Sequence, residues 1–211
     1  CVEYSNSHTA ARDFFIDRVR RSPFGMRDHP FMRSPAVFIY RNPLDILVSE
    51  ANYYHKDGKT PFAGYLGKYT FEERLLKLID DPWLLGSIRE RIGNFIAWLD
   101  FPNVIPVSFE ELIGHKGGGD DGAQANLIWS LQLKLNIPGK PGEFGCKIFS
   151  KESATFNEGR IGTHMSHFTT RAYNKFDSLP QDFMESLGFS SKEKDEKIKI
   201  SHRADEFRLR P

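Results

Sequence analysis

Residues 36–55 constrain the fold of this chain more than any other stretch, because an apolar run ends in an arginine and changes at once to a helical pattern. The run 36–40, Ala-Val-Phe-Ile-Tyr, is short and does not alternate, which predicts a strand buried on both faces. Asn42 is a good helix cap, and Pro43 suits the first helical position. The apolar side chains that follow share one helical face: Leu44, Leu47, Val48 and Ala51.

A polar stripe on the same helix carries Asp45 and Ser49 and begins beside Arg41, at the end of the predicted strand. Ligands of open α/β sheets bind at this edge. The planar guanidinium of Arg41 and the hydroxyl of Ser49 are suitable donors for a phosphate. The alternative is that Arg41 pairs with Asp45 while Ser49 faces water, and spacing alone leaves both readings open.

Composition excludes several classes of protein. A chain of 211 residues fits one domain, which we place at residues 1–190, followed by a charged tail at 191–211. The net charge of +1 argues against bulk binding to nucleic acid or to a membrane surface. No apolar stretch is long enough to span a membrane, and the lack of a recognisable signal peptide slightly favours a cytoplasmic protein. The two cysteines form no metal or redox motif.

The remaining pattern predicts mostly helices. We expect a strand at 103–108, a flexible linker at 117–122, and a break in structure at 136–145. The run 117–122 has the spacing of neither a Walker loop nor a dinucleotide fingerprint. A strand is also expected at 1–8, and helices at 9–21, 71–79, 82–99, 109–112, 123–135 and 180–187. Trp83 is among the side chains available for burial in the helix expected at 82–99.

Residues 156–169 form the second stretch with functional potential. Gly159 and Gly162 permit close approach of the backbone to a ligand, and Arg160 adds positive charge. His164 and His167 have no third ligand at a suitable spacing, so no metal site is predicted.

Four stretches, taken together and in their order along the chain, resemble the sulfotransferases that use phosphoadenosine phosphosulfate (PAPS). Residues 41–49 match the pattern Arg-Asn-Pro-x-Asp-x-x-x-Ser, which follows an apolar strand in that family. Residues 107–112 are similar to a family strand that ends in Tyr-Glu-Asp-Leu. Residues 156–169 resemble Phe-Arg-Lys-Gly-x-x-Gly-Asp-Trp-Lys-Asn-x-Phe-Thr, and residues 7–9 resemble a Ser/Thr-His segment.

The resemblance implies a parallel β-sheet flanked by helices, of the P-loop nucleotide-binding type, and transfer of a sulfuryl group from PAPS to a small-molecule or glycan acceptor through a hydroxyl or amine. It implies that Arg41, Ser49 and Gly159 bind the 3′-phosphate of PAPS and of its product, adenosine 3′,5′-bisphosphate (PAP). Phe109 would lie near the adenine, and His8 would be the general base, for which a near-neutral pKa is suited.

Two departures from the family pattern bear on activity. The Lys-Ser-Gly-Thr-Thr type loop that cradles the 5′-phosphate has no counterpart here, so we expect an N-terminally incomplete copy of the fold. Asn157 and Glu158 replace a basic Arg-Lys pair, and Arg160 is expected to compensate. The alternatives are a non-catalytic nucleotide-binding module and a nucleotide-dependent phosphotransferase, although the latter would need a Walker loop and magnesium ligands.

Overall fold

The strand–helix unit that the sequence predicts is present. In the computed structural model, which describes residues 30–149 and 159–189, strand β1 (Ala36–Tyr40) leads into helix α2 (Pro43–Tyr53). The Asn42 side chain accepts a hydrogen bond from the Leu44 N–H at 2.9 Å, and Pro43 opens the helix. The predicted cap therefore sets the point at which the helix starts.

Short helices make up most of the rest of the described chain. In order, the further elements are α1 (Pro30–Arg33), which precedes β1, then α3 (Ala63–Leu66), α4 (Phe71–Ile79), β2 (Asp80–Asp81), β3 (Gly86–Ser87), α5 (Ile88–Ile96), a 3₁₀ turn (Ala97–Asp100), β4 (Val104–Ser108), α6 (Phe109–Leu112), a 3₁₀ turn (His115–Gly117), α7 (Asp121–Leu135), α8 (Pro141–Ile148), α9 (His164–His167), α10 (Thr170–Asp177) and α11 (Asp182–Ser186).

Strands β1 and β4 form a parallel pair, in register from Ala36 opposite Val104 to Tyr40 opposite Ser108. Because parallel strands end at the same edge, Arg41 and Phe109 leave the sheet side by side. Strands β2 and β3 form a separate two-residue antiparallel pair. The described residues therefore form a mixed α/β fold with a small parallel sheet, as expected, whereas its relation to the P-loop class stays a prediction.

The core lies between α2, α4, α10 and α11, and it fixes the orientation of α2. Helix α4 begins with a capping box in which Thr70 and Glu73 exchange hydrogen bonds. Helices α3 and α5 also contribute to this core, and its large buried side chains include Leu47, Leu66, Leu75, Leu78, Ile79, Ile88, Phe176 and Met184. The apolar face predicted for α2 thus packs as expected.

The expectation that β1 is buried on both faces is wrong. Val37 is 41% exposed and Ile39 is 56% exposed. Side chains alternate between the two faces of a strand, and the other three residues of β1, which are Ala36, Phe38 and Tyr40, are half-buried instead. A continuous apolar run therefore does not establish that both faces of this strand are covered.

The prediction that a helix begins at residue 82 is also wrong, because the helix begins at Ile88. Residues 80–87 form the β2–β3 hairpin, and its turn leaves Trp83 89% exposed. The buried Asp81 carboxylate accepts hydrogen bonds from the backbone N–H groups of Trp83 and Leu85. Ser87 then caps α5 through a second capping box. The local hydrogen bonds of Asp81 and Ser87 therefore override the apolar spacing.

Helix α7 buries polar side chains and exposes apolar ones. Gln124 donates to the Leu112 carbonyl at 2.6 Å, and Gln132 donates to the Gly139 carbonyl at 3.0 Å. Trp129 and Leu133 are more than half exposed. The inward glutamines satisfy the carbonyl of Leu112 at the end of α6 and that of Gly139 in the loop after α7. That loop leads into α8, which begins at Pro141, inside the range 136–145 where a break in structure was expected.

Several expectations lie outside the described residues: the strand at 1–8, the helix at 9–21, His8, the replaced pair at 157–158 and the tail at 191–211. The single-domain assignment accordingly stays a prediction. The predicted linker at 117–122 is described, and it is not a linker. Gly117 is buried in a 3₁₀ turn, and α7 already begins at Asp121. Among the described residues, no helix is long and apolar enough to cross a membrane.

Replacing Leu47 with Ala is expected to lower the free energy of unfolding by about 2–5 kcal/mol, because it leaves a cavity in the core. Leu133→Ala is the matched control, since that leucine is 65% exposed, and it is expected to change stability by no more than about 0.5 kcal/mol. Urea unfolding followed by circular dichroism measures both. Equal losses in the two variants would contradict this account of the core.

Candidate functional site

A fully buried carboxylate, that of Asp45, joins α2 to the turn at 159–164. Its Oδ2 accepts a hydrogen bond from the Gly162 N–H at 2.8 Å. Its Oδ1 accepts from the Thr163 hydroxyl at 3.1 Å, from the His164 N–H at 3.0 Å and from His164 Nδ1 at 2.7 Å. Because these donors replace the lost hydration, the buried charge is tolerated.

The turn reaches Asp45 through a backbone conformation that favours glycine. Gly162 has φ +73°, a region that L side chains rarely adopt. In this conformation its N–H points at Asp45, and α9 follows directly. Gly162, which the sequence singled out for ligand approach, therefore has a structural role in the described fold.

The pKa of Asp45 lies below its ordinary value of 3.8. Burial by itself would raise this pKa, but the hydrogen bonds from His164 and the charges of His164 and Arg41 outweigh it. Asp45 is therefore ionised at neutral pH and acts as a fixed negative charge that holds the turn.

Arg41 connects the two stretches that the sequence selected, residues 36–55 and 156–169. One guanidinium nitrogen, Nη2, donates to the Arg160 carbonyl and lies 3.4 Å from Asp45 Oδ2. The guanidinium carbon is 4.4 Å from the centre of the Phe109 ring, a cation–π contact. These contacts orient the guanidinium at the carboxyl edge of β1 and β4.

The hydrogen-bonding capacity of Arg41 is only partly used. Its Nε is buried and has no hydrogen-bond partner among the described residues. Arg91 Nε is also without one, but the other nitrogens of Arg91 bind Glu50 and three backbone carbonyls. An unsatisfied buried donor costs about 1–3 kcal/mol, so the described residues hold the Arg41 guanidinium without satisfying all of its donors.

A second buried carboxylate, that of Glu110, joins α6 to the start of α2. Its Oε1 accepts from the Asn42 N–H at 2.9 Å, and its Oε2 accepts from the Ser108 hydroxyl at 2.7 Å. Burial raises the pKa of Glu110 despite these hydrogen bonds. This carboxyl therefore locks β4 to β1 at the edge where Arg41 emerges.

The structure brings together most of the residues predicted from the sequence. Arg41 and Phe109 are in contact, and the backbone of Arg160 meets Arg41, whereas the Arg160 side chain is exposed. Ser49 lies one helical turn beyond Asp45 and is half-buried, and no described residue hydrogen-bonds to its hydroxyl. Gly159 adopts φ +60° at the start of the turn.

Sequence reasoning missed the residues that assemble the site. Asp45 was considered only as a partner of Arg41, and His164 only as a metal ligand, while Glu110 and Thr163 were not singled out. One signal was available for Asp45, because a carboxylate one helical turn from both Arg41 and Ser49 shares their face. The donors from Gly162 and His164 include backbone N–H groups, and no residue type identifies such a donor in a sequence.

Asp45→Asn is expected to lower the free energy of unfolding at neutral pH by about 3 kcal/mol or more, because it removes one partner of a buried ionic network. The loss should shrink in acid. A carboxyl whose pKa is lower in the folded state stabilises the fold above its unfolded pKa, and that contribution disappears as pH falls through the folded value.

Urea titrations of both proteins between pH 7 and pH 2.5 measure this difference. Asp182→Asn is the matched control, because that carboxylate forms an exposed ion pair with Arg89, and it is expected to change stability little. A deficit in Asp45→Asn that stays constant down to the lowest pH would contradict the assigned role of the charge.

The described fold is similar to that of a known sulfotransferase. The structure of mouse sulfotransferase SULT7A1 complexed with PAP matches it with a TM-score of 0.52 and 18% sequence identity, over 72% of this chain and 58% of that one. No protein-family model and no curated protein matches the sequence. At this identity the likeness shows a sulfotransferase-like α/β fold, and the chain spans a little over half the length of its structural neighbour.

Proposed function

We propose that this chain is a sulfotransferase that binds PAPS and transfers its sulfuryl group to a hydroxyl or amine acceptor. The observation that carries the proposal is the meeting of Arg41, Phe109 and the 159–164 turn at the carboxyl edge of the parallel strands. Three stretches that resemble the family separately in sequence thus converge at one corner. A fold shared with a sulfotransferase that was solved with PAP supports the same reading.

The residues at this corner fit the 3′-phosphate of PAPS. Arg41 offers a guanidinium that Phe109 and the Arg160 carbonyl already orient, and Ser49 offers a half-buried hydroxyl that no described residue engages. Gly159 has no side chain to obstruct the backbone of the turn. Charge-assisted hydrogen bonds from an arginine suit a phosphate better than a neutral ligand.

Phe109 has a more specific role in this proposal than contact with the adenine alone. One face of its ring holds the Arg41 guanidinium at 4.4 Å. The ring therefore orients the cation, and its remaining surface is available to a base, for which stacking is worth about 1–3 kcal/mol. Orientation of the cation before binding reduces the entropy that binding must overcome.

The chemistry at the other end of the cofactor depends on residues outside the described ranges. PAPS supplies an activated sulfuryl group when it is bound. We assign to His8 the task of accepting the proton of the acceptor hydroxyl or amine, since an imidazole is the side chain best matched to proton transfer near neutral pH.

A non-catalytic nucleotide-binding module is the second candidate function. This chain has counterparts of the family residues for the 3′-phosphate but no counterpart of the Lys-Ser-Gly-Thr-Thr type loop that cradles the 5′-phosphate, and this combination favours it. Such a module would bind PAP through Arg41 and Ser49 but would transfer no sulfuryl group. Binding and turnover measured on the same protein separate the two functions.

Arg41→Ala is expected to weaken PAP binding about 10- to 100-fold, since a hydrogen bond to a charged group contributes about 1.5–3 kcal/mol. Ser49→Ala should weaken it about 2- to 10-fold, as expected for a neutral donor. Arg41→Lys should restore only part of the loss, because the ammonium lacks the planar fork. Isothermal titration calorimetry with PAP measures all three.

Arg171→Ala and Ser130→Ala are the matched controls, because both residues are exposed on helices, α10 and α7, and belong to none of the stretches that form this corner. Circular dichroism and thermal unfolding check that each variant is folded. If folded Arg41→Ala and Ser49→Ala proteins bind PAP as tightly as the wild type, the proposed site is wrong.

His8→Ala is expected to abolish sulfuryl transfer while leaving PAP binding within about twofold of the wild type, because a general base contributes about 10²- to 10⁴-fold to rate. Transfer of labelled sulfate from PAPS to a panel of hydroxyl and amine acceptors measures turnover, and His55→Ala, which removes a weaker candidate for the base, is measured beside it. Normal turnover in His8→Ala would remove His8 as the base.

A further inference from the structure

The glycine-rich run after α6 forms a closed loop with its own hydrogen bonds. The Gly114 carbonyl accepts from the N–H groups of Gly117 and Gly119, at 3.1 Å and 2.8 Å. Asp121 Oδ1, in the first turn of α7, accepts from the His115 N–H at 2.9 Å. Both ends of the loop are therefore fixed, by α6 and by α7.

This loop lies directly against the turn that carries the candidate site. The Gly117 carbonyl accepts a hydrogen bond from the Ile161 N–H at 2.9 Å. A Cβ atom placed on Gly117 would lie 2.7 Å from the Gly159 carbonyl oxygen and 2.3 Å from Cγ1 of Ile113. Because Gly159 contributes a backbone atom, a side chain at 117 would displace the turn itself.

The displaced segment contains the carbonyl that holds Arg41. The Arg160 carbonyl, which accepts from Arg41 Nη2, lies between Gly159 and Ile161, the two residues that meet Gly117. Asp45 binds the other end of the same turn through Gly162. The turn is thus held by Asp45 on one side and by Gly117 on the other, with the arginine contact between them.

We propose that Gly117 is a positioning residue for the anion site. Its bare backbone holds the 159–162 turn at the separation from β1 that keeps the Arg41 guanidinium oriented toward a 3′-phosphate. This inference rests on the proposed function for the identity of the ligand, and it assigns to the glycine-rich loop a role that is neither a linker nor a phosphate cradle of its own.

The test compares Gly117→Ala with the wild-type chain in its affinity for PAP and for adenosine 5′-phosphate, which lacks the 3′-phosphate. Gly117→Ala is expected to weaken PAP binding at least fivefold and to change the affinity for adenosine 5′-phosphate less than twofold. A general loss of structure would weaken both nucleotides alike, so the change in selectivity is the readout specific to positioning. Competition calorimetry measures both affinities, and Arg41→Ala is measured beside them.

Two control variants make the result decisive. Gly93→Ala lies inside α5, where an added Cβ meets nothing within 4 Å, and it should leave both affinities unchanged. Lys116→Ala removes the exposed charge of the loop and should do the same. An equal loss of PAP affinity in Lys116→Ala would mean that the loop acts through charge, and that outcome would overturn the proposal.

The outcomes also separate this inference from the proposed function. If Arg41→Ala loses PAP affinity and Gly117→Ala keeps its full affinity and selectivity, the positioning role is wrong and the site stands. If Gly117→Ala loses affinity for both nucleotides equally, the glycine is structural only and the positioning role is again wrong. If neither the wild type nor any variant binds PAP, the proposed function itself fails.

Discussion

The buried carboxylate of Asp45 is the interaction on which the rest of the site depends. It joins α2 to a turn that lies 117 residues further along the chain. A carboxylate without donors at this position would carry a desolvation penalty of several kcal/mol, and a turn without the carboxylate would leave buried N–H groups unsatisfied. Each segment is therefore stable in this form only when the other is present, and Arg41 is brought to the turn as a consequence.

The two buried carboxyls near Arg41 differ in a way that matters for an anion site. Hydrogen bonds and positive charge lower the pKa of Asp45 in spite of its burial, whereas burial raises the pKa of Glu110. A negative charge beside Arg41 weakens its attraction for a phosphate. The charge of Asp45 is largely satisfied by the donors of the turn, and the carboxyl oxygens of Glu110 accept from the Asn42 N–H and the Ser108 hydroxyl. Because both carboxyls are engaged by other donors, more of the positive charge of Arg41 is available to a ligand.

The sequence was sufficient for local features and insufficient for those that depend on distant partners. Asn42 and Pro43 correctly predicted where α2 begins, and the chemistry of Arg41 selected the corner at which it contacts Phe109 and the Arg160 carbonyl. The partners of Asp45 were not predictable, because two of its donors are backbone N–H groups that every residue except proline possesses. The helix expected from residue 82 failed for a related reason, since hydrogen bonds from backbone N–H groups to the Asp81 carboxylate decide the turn although apolar spacing favours a helix.

The proposed site therefore relies on geometry more than on the number of its charges. In the resembling family a basic pair precedes the glycine of this turn, whereas this chain has Asn157 and Glu158 there. With fewer cations, affinity for a phosphate must come from donors that are already oriented, because the cost of ordering flexible side chains is then avoided. Phe109, the Arg160 carbonyl and Asp45 each restrict the Arg41 guanidinium. A small displacement of the turn would consequently cost more affinity here than in a site where several mobile cations surround the ligand.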